Sequence, residues 1–154
     1  MKEENIFKQL ETVRSVTVEL LESIPESNWD VIPEGFRNNI RWNAGHILTI
    51  QDLLANDFRS ISENLPDKYL AYFSKDTSPS NWTEQPPSKE ELLKLLKEQS
   101  AWVRTACEGK LEQKLDKPFR RFETLGELLL FGSFHDGMHT GIINAQNKIV
   151  SEHR

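Results

Sequence analysis

Between residues 3 and 24 apolar side chains return at every third or fourth position, at Ile6, Leu10, Val13, Leu20 and Ile24 with Thr17 filling one turn. That is the period of a helix buried along one stripe. Pro25 cannot continue it, and PESNWDVIPEGFRNN (residues 25–39) adds a second proline, a glycine and an asparagine pair, so this stretch reads as a connection. Asn39 is placed to cap a second helix over about residues 40–61, with Trp42, His46, Ile50, Leu53 and Leu54 along one side. A long irregular stretch follows, NLPDKYLAYFSKDTSPSNWTEQPPS (residues 64–88), rich in Pro, Ser and Asp yet carrying Tyr69, Tyr72, Phe73 and Trp82. Its aromatic residues predict a loop packed down on the body, the kind that covers a functional site.

Ser88 with Glu91 forms a capping box that opens a third helix, striped by Leu92, Leu95, Leu96, Gln99, Val103 and Ala106 and stopped by Gly109 after Cys107. The segment up to Glu123, with Pro118, Phe119 and Phe122, reads as extended. Thr124 with Glu127 repeats the capping box and opens a fourth helix running to about residue 150. One of its faces holds Leu128, Gly132, His135, His139, Ile142 and Gln146, and the opposite side holds Leu130, Phe134, Gly137 and Gly141. A helix apolar on both sides is expected to be covered on both. Four long amphipathic helices, no convincing alternating strand and no internal repeat predict an all-α four-helix bundle, one domain over residues 1–154, with a long connection between helices two and three. Gly137 and Gly141 allow another helix to approach, either within the chain or from a second subunit, and a homodimer is the expected assembly.

Composition narrows the function. The chain is 37% hydrophobic and 28% charged with net charge −5, which fits a soluble globular protein and disfavours a nucleic-acid partner. Only KPFRR (residues 117–121) is locally basic, and it reads as a solvated connector. No run approaches the ~18 apolar residues of a membrane helix, so no membrane partner is expected. The start, MKEENIFKQLE, lacks the pattern of a secretory signal, and the single cysteine, Cys107, has no intramolecular partner; a reducing cytoplasm is the expected location. Late in a helix, that thiol reads as packing.

The chemistry lies in three of the four histidines. His135 and His139, in FHDGMHTG (residues 134–141), stand four apart on one helix, close enough for both rings to reach one ion. A pair alone is as readily two hydrogen-bonded core residues. His46 sits on the buried stripe of another helix, while His153 lies in the terminal SEHR. Three rings facing one interior need partners for their nitrogens, and a shared ion satisfies three at once. An acid–base alternative needs an orienting carboxylate, for which Asp52 and Asp136 are nearest in sequence. Trp42 and Thr49, one turn either side of His46, are candidate pocket residues, though Trp42 also reads as core and Thr49 as bonded to its own backbone.

WNAGHI (residues 42–47), followed much later by HDGMHTGII (residues 135–143), resembles the DinB/YfiT superfamily of four-helix-bundle metalloenzymes along nearly the whole chain. The resemblance implies a divalent-metal site, zinc or nickel, on His46, His135 and His139, with water completing the shell. It implies an enzyme acting on a small molecule, either transferring a low-molecular-weight thiol of the bacillithiol type or hydrolysing its substrate. The alternative is a non-catalytic bundle that binds a metal or small molecule. Many members carry glutamine where this chain has Ile142, which leaves the three histidines intact but alters a pocket position.

Overall fold

A computed structural model describes residues 1–153. Four long helices form the body: α1 (Glu3–Ser23), α2 (Ile40–Ala55), α4 (Lys89–Cys107) and α5 (Leu125–Glu152). Between the second and third of these lies the short α3 (Lys68–Phe73). An antiparallel hairpin of β1 (Lys114–Phe119) and β2 (Phe122–Thr124) leads into α5. The fold is all-α with a minor two-stranded sheet. Among the described residues, no helix is long and apolar enough to cross a membrane.

The helix starts follow the chemistry of the chain. Asn39, Ser88 and Thr124 each accept a backbone N–H of the first turn, from Trp42, Glu91 and Glu127 respectively. The end of α2 differs from the sequence expectation: the helix stops at Ala55, well before residue 61. Asp57 and Phe58 adopt left-handed backbone angles there, with φ of 52° and 57°. The buried Asp52 carboxylate then draws the chain back by accepting from the Ser62 amide (2.6 Å), the Ser62 hydroxyl (2.8 Å) and Trp102 Nε1–H (3.1 Å). The segment before Glu123 is extended as expected, and its pairing into a hairpin is the second departure. Both its faces are largely exposed and its register shifts between the Lys114–Thr124 and Phe119–Phe122 pairs, so no hydrophobic alternation marked it.

As expected, the aromatic residues of the 64–88 connection are packed down. Tyr69, Tyr72 and Phe73 are buried, and Trp82 lies over Tyr72 and Phe73 with its indole N–H donating to the Tyr72 carbonyl. On α5 the buried stripe passes through Ile143 rather than Ile142, which is half-buried. Cys107 is fully buried and its thiol contacts the Ala55 carbonyl; burial pushes its pKa up to about 11, which leaves it as packing rather than a nucleophile.

The core has two apolar halves. One gathers Leu21, Trp29, Ile47, Tyr69, Phe73 and Leu96; the other gathers Phe7, Leu10, Val103, Cys107 and Leu129. Between them in sequence, on each of three helices, stand polar residues that join the whole bundle. Arg14 of α1 donates to Asp136 of α5 (2.7 Å) and to Gln99 of α4 (2.7 Å), and Gln99 donates to the Leu48 carbonyl of α2 (2.8 Å). Arg14 and Asp136 are 5% and 2% exposed, so the pair has little help from water. Removing one partner strands the other charge. Asp136→Ala is expected to lower unfolding free energy by about 3 to 5 kcal/mol in urea denaturation, whereas replacing both Arg14 and Asp136 with Met and Leu is expected to cost far less.

Candidate metal centre

Local sequence explains how α2 presents His46. A Cβ added at Gly45 would lie 2.4 Å from the Phe73 ring, so only glycine lets α3 settle on α2 at this point. That approach brings the Phe73 carbonyl within 2.6 Å of His46 Nδ1. On the other side the Trp42 indole stacks on the imidazole, with centroids 4.4 Å apart and planes within 15°. Trp42 is fixed in turn by its indole N–H donating to Thr77 Oγ1 (2.9 Å). The ring is thereby held in position and in tautomer: Nδ1–H donates, and Nε2 keeps its lone pair.

A second chain of bonds does the same for His139. Asn43, one turn before His46 on α2, donates its amide hydrogens to the Asn39 carbonyl (2.9 Å) and to Gln146 Oε1 (3.2 Å). Its carbonyl oxygen is therefore turned to accept His139 Nδ1–H at 2.7 Å. Gln146 is anchored by donating to the Asn38 carbonyl (2.8 Å). His139 Nε2 is left free.

His135 completes the cluster. Candidate ligand atoms of His46, His135 and His139 all lie within 4.8 Å of one another, and the three residues are 6%, 8% and 8% exposed. The Nε2 atoms of His135 and His46 are 3.2 Å apart. Two nitrogens bound to one ion at ~2.0 to 2.1 Å lie about 2.9 to 3.4 Å apart, so this spacing suits a shared ion. Burial lowers all three pKa values. It takes His135 down to about 3, helped by the charges of His139 and His46, and His139 to about 4, helped by His46; for His46 the Phe73 carbonyl partly opposes the burial effect. At neutral pH the rings are uncharged, as ligation requires. A neutral, all-nitrogen, converging donor set fits a first-row divalent ion and not magnesium or calcium, which want oxygen.

The other candidates are placed as follows. Trp42 is the stacked wall of the cluster. Thr49 is fully buried with its hydroxyl donating to the Gly45 carbonyl (2.9 Å), the backbone-bonded arrangement. Ile142 lies half-buried on α5 beside the core stripe. Neither Asp52 nor Asp136 orients a histidine: the first closes the turn after α2 and the second holds Arg14. Tyr69, Tyr72 and Trp82 pack about Phe73 and so support His46 from behind. Sequence reasoning missed Asn43 and the role of the Phe73 carbonyl. A buried asparagine one turn from His46 was a readable signal for the first. A main-chain acceptor has no sequence signal at all.

A family model of the DinB superfamily matches residues 9–143. A solved structure described as a conserved protein of locus from Enterococcus faecalis superposes with a TM-score of 0.66 at 16% identity, covering 99% of each chain. At that identity the likeness shows the fold. Among curated proteins no match is found.

The depressed histidines carry a pH dependence with a definite sign. Unfolded, each takes up a proton near its ordinary value of 6.5; folded, His135 and His139 resist until far lower pH, and His46 is shifted the same way. The stability that neutral burial requires is therefore present above about pH 6.5 and drains as pH falls toward 4. Thermal denaturation of metal-stripped protein between pH 7.5 and 4 is expected to show a falling midpoint, with a shallower fall in His135→Phe.

Proposed function

This chain belongs to the DinB superfamily, and from its three converging imidazoles we propose that it is a divalent-metal-dependent enzyme acting on a small molecule. The observation that carries the reading is the convergence of three buried, neutral rings, two of them with Nδ1 already committed to a protein acceptor. His46, His135 and His139 would hold the ion through nitrogen, with zinc or nickel the metals suited to imidazole. Bound there with positions left open, such an ion supplies Lewis acidity, which lowers the pKa of a water or a thiol.

The chain's own residues supply the rest. Phe73 and Asn43 set the tautomers and ring directions of His46 and His139. Trp42 shields one flank of His46 from water. The reaction is either transfer of a low-molecular-weight thiol to an electrophile or hydrolysis, chemistries that share one ligand set. A cytoplasmic location, where such thiols are kept reduced, completes the proposal.

Metal content of untagged protein, measured by mass spectrometry, is expected to be about one zinc or nickel per chain. In His46→Ala affinity is expected to fall by more than the roughly 10- to 100-fold that loss of a supporting hydrogen bond costs. The loaded protein is then offered a thiol with an alkyl halide, and separately a panel of esters and amides. Metal-dependent turnover of either sustains the enzyme. Stoichiometric binding without turnover makes the chain a non-catalytic metal-binding bundle, and failure to load either ion removes the metal reading altogether.

We extend the proposal to a homodimer seated along the outer face of α5. Gly137 and Gly141 are exposed, and a Cβ at either would meet nothing within 4 Å, so packing inside the chain does not explain them. Each mid-helix glycine costs about 1 kcal/mol relative to alanine. Phe134 and Met138 stand exposed beside them. Sedimentation velocity is expected to give twice the 17.9 kDa chain mass, reverting to the monomer in Gly141→Glu.

A further inference from the structure

After α3 the chain runs through residues 74–84, a strap tied to Tyr72 by two side-chain hydrogen bonds and a ring contact. Trp82 donates its indole N–H to the Tyr72 carbonyl (3.1 Å) and stacks on the Tyr72 ring at 6.0 Å, and the Glu84 amide donates to the Tyr72 hydroxyl (3.0 Å). To the four long helices, among the described residues, the strap makes a single hydrogen bond: Thr77 Oγ1 accepts the Trp42 indole N–H at 2.9 Å.

That bond lies where both supports of His46 meet. A hydroxyl has one proton and two lone pairs. Thr77 gives its proton to a main-chain carbonyl, that of Ser74 (2.7 Å) or Tyr72 (3.0 Å), and so keeps a lone pair for Trp42. On one side Trp42 lies nearly flat on the His46 imidazole. On the other, Tyr72 immediately precedes Phe73, whose carbonyl takes His46 Nδ1–H at 2.6 Å. The backbone of Thr77 is fixed from both directions, by Asp76 in a left-handed conformation (φ 68°) and by a turn in which the Ser78 amide donates to Asn81 Oδ1 (2.9 Å). Trp42 is 5% exposed, so without the Thr77 oxygen its indole N–H is left in the interior with no partner, a cost the ring escapes by turning off the imidazole.

We propose that Thr77 is a positioning residue of the histidine centre, holding Trp42 against His46, and that occupancy of the centre is thereby coupled to closure of the 74–84 strap. The coupling runs both ways: whatever factor the Thr77–Trp42 bond adds to affinity for an ion, the ion returns to the bond. Removing a group that bonds a ligating ring directly costs about 10- to 100-fold in metal affinity, and Thr77 acts one contact further out, so about ten-fold is expected. The coupling rests on the metal reading; the hold on His46 does not.

Zinc affinity is measured by competition with a chromogenic chelator in wild type, Thr77→Val, Thr77→Ser and Trp42→Phe, the last keeping a ring on His46 but no N–H. Thr77→Val keeps the side-chain shape at a half-buried position of a connection and is expected to bind zinc about ten-fold more weakly, with Thr77→Ser close to wild type. In the Trp42→Phe background Thr77→Val is expected to add nothing, because the bond it breaks is already gone. Ser78→Ala, whose hydroxyl is bonded only within the strap to Ser80 and Asn81, is expected to leave affinity unchanged. In metal-free protein the ¹⁵N signals of the His46 ring are expected to move in Thr77→Val and to return in Thr77→Ser, which mere anchoring of the strap would not produce. Zinc is expected to slow hydrogen exchange of the wild-type Trp42 indole N–H by the same factor of about ten. Equal zinc affinities in wild type and Thr77→Val, a Thr77→Ser as weak as Thr77→Val, losses that add in the double variant, or His46 signals indifferent to Thr77 overturn the proposal. A wild type that does not load zinc, with His46 signals still moved by Thr77→Val, overturns the metal reading and the coupling, and leaves Thr77 as the residue that positions His46.

Discussion

Three imidazoles buried against one another set the terms for the rest of this molecule. A ring in a dry interior must be neutral, and each of its nitrogens must find a partner. The chain meets that demand from two directions. From α3 comes a main-chain carbonyl, brought close because Gly45 has no side chain to hold Phe73 away. From within α2 comes Asn43, whose amide is turned the right way by Asn39 and Gln146. The short motif around His46 is thus explained residue by residue: tryptophan to stack, asparagine to orient the opposite helix's histidine, glycine to admit Phe73, histidine to face the interior.

The ion pair behind the histidines belongs to the same economy. His135 and Asp136 are neighbours on α5, about 100° apart around the axis, so they serve different partners. His135 faces the cluster while Asp136 reaches Arg14 of α1. Through Gln99 and the Leu48 carbonyl that pair also engages α4 and α2. A buried pair of this kind adds little net stability, yet a slip of any one helix would strand a charge, so it fixes how the four helices align. Alignment is what a site assembled from two helices and a connecting segment needs. Gly132 adds to it, since a Cβ there would come within 2.3 Å of Gln51 Oε1 and displace the buried Gln51 side chain that packs between α2 and α5.

Much of this was legible in the sequence because helical periodicity and capping are local. The starts at Asn39, Ser88 and Thr124 depend on residues within a turn of one another, and the structure places each cap as expected, except that the Glu91 carboxylate does not close the box at Ser88 and accepts from the Tyr69 hydroxyl instead. His46, His135 and His139 were legible because each sat on a buried stripe. What could not be read depends on distant partners. The early end of α2 is set by Asp52 capturing Ser62 and Trp102. The hairpin has two wet faces and a shifted register, which leaves no periodicity to find. On α5, helical spacing alone could not choose between Ile142 and Ile143, because the choice follows from where α2 lies against it. Arg14 falls on the apolar stripe of α1 but carries a charge, and only its partner on α5 makes that burial tolerable.

The three rings are not equivalent, and the difference follows from their partners. His46 and His139 each commit the Nδ1 proton to an oxygen, so each presents a bare Nε2. The 3.2 Å contact between His135 Nε2 and His46 Nε2 is then a hydrogen bond only if His135 carries its proton on Nε2. In that form His135 cannot offer Nε2 to an ion. To do so it must carry the proton on Nδ1, where no protein acceptor stands among the described residues. Two candidate ligands are therefore set in advance and the third is held by its neighbours' lone pairs rather than by a supporting bond. That third ring is therefore the most weakly supported position of the cluster.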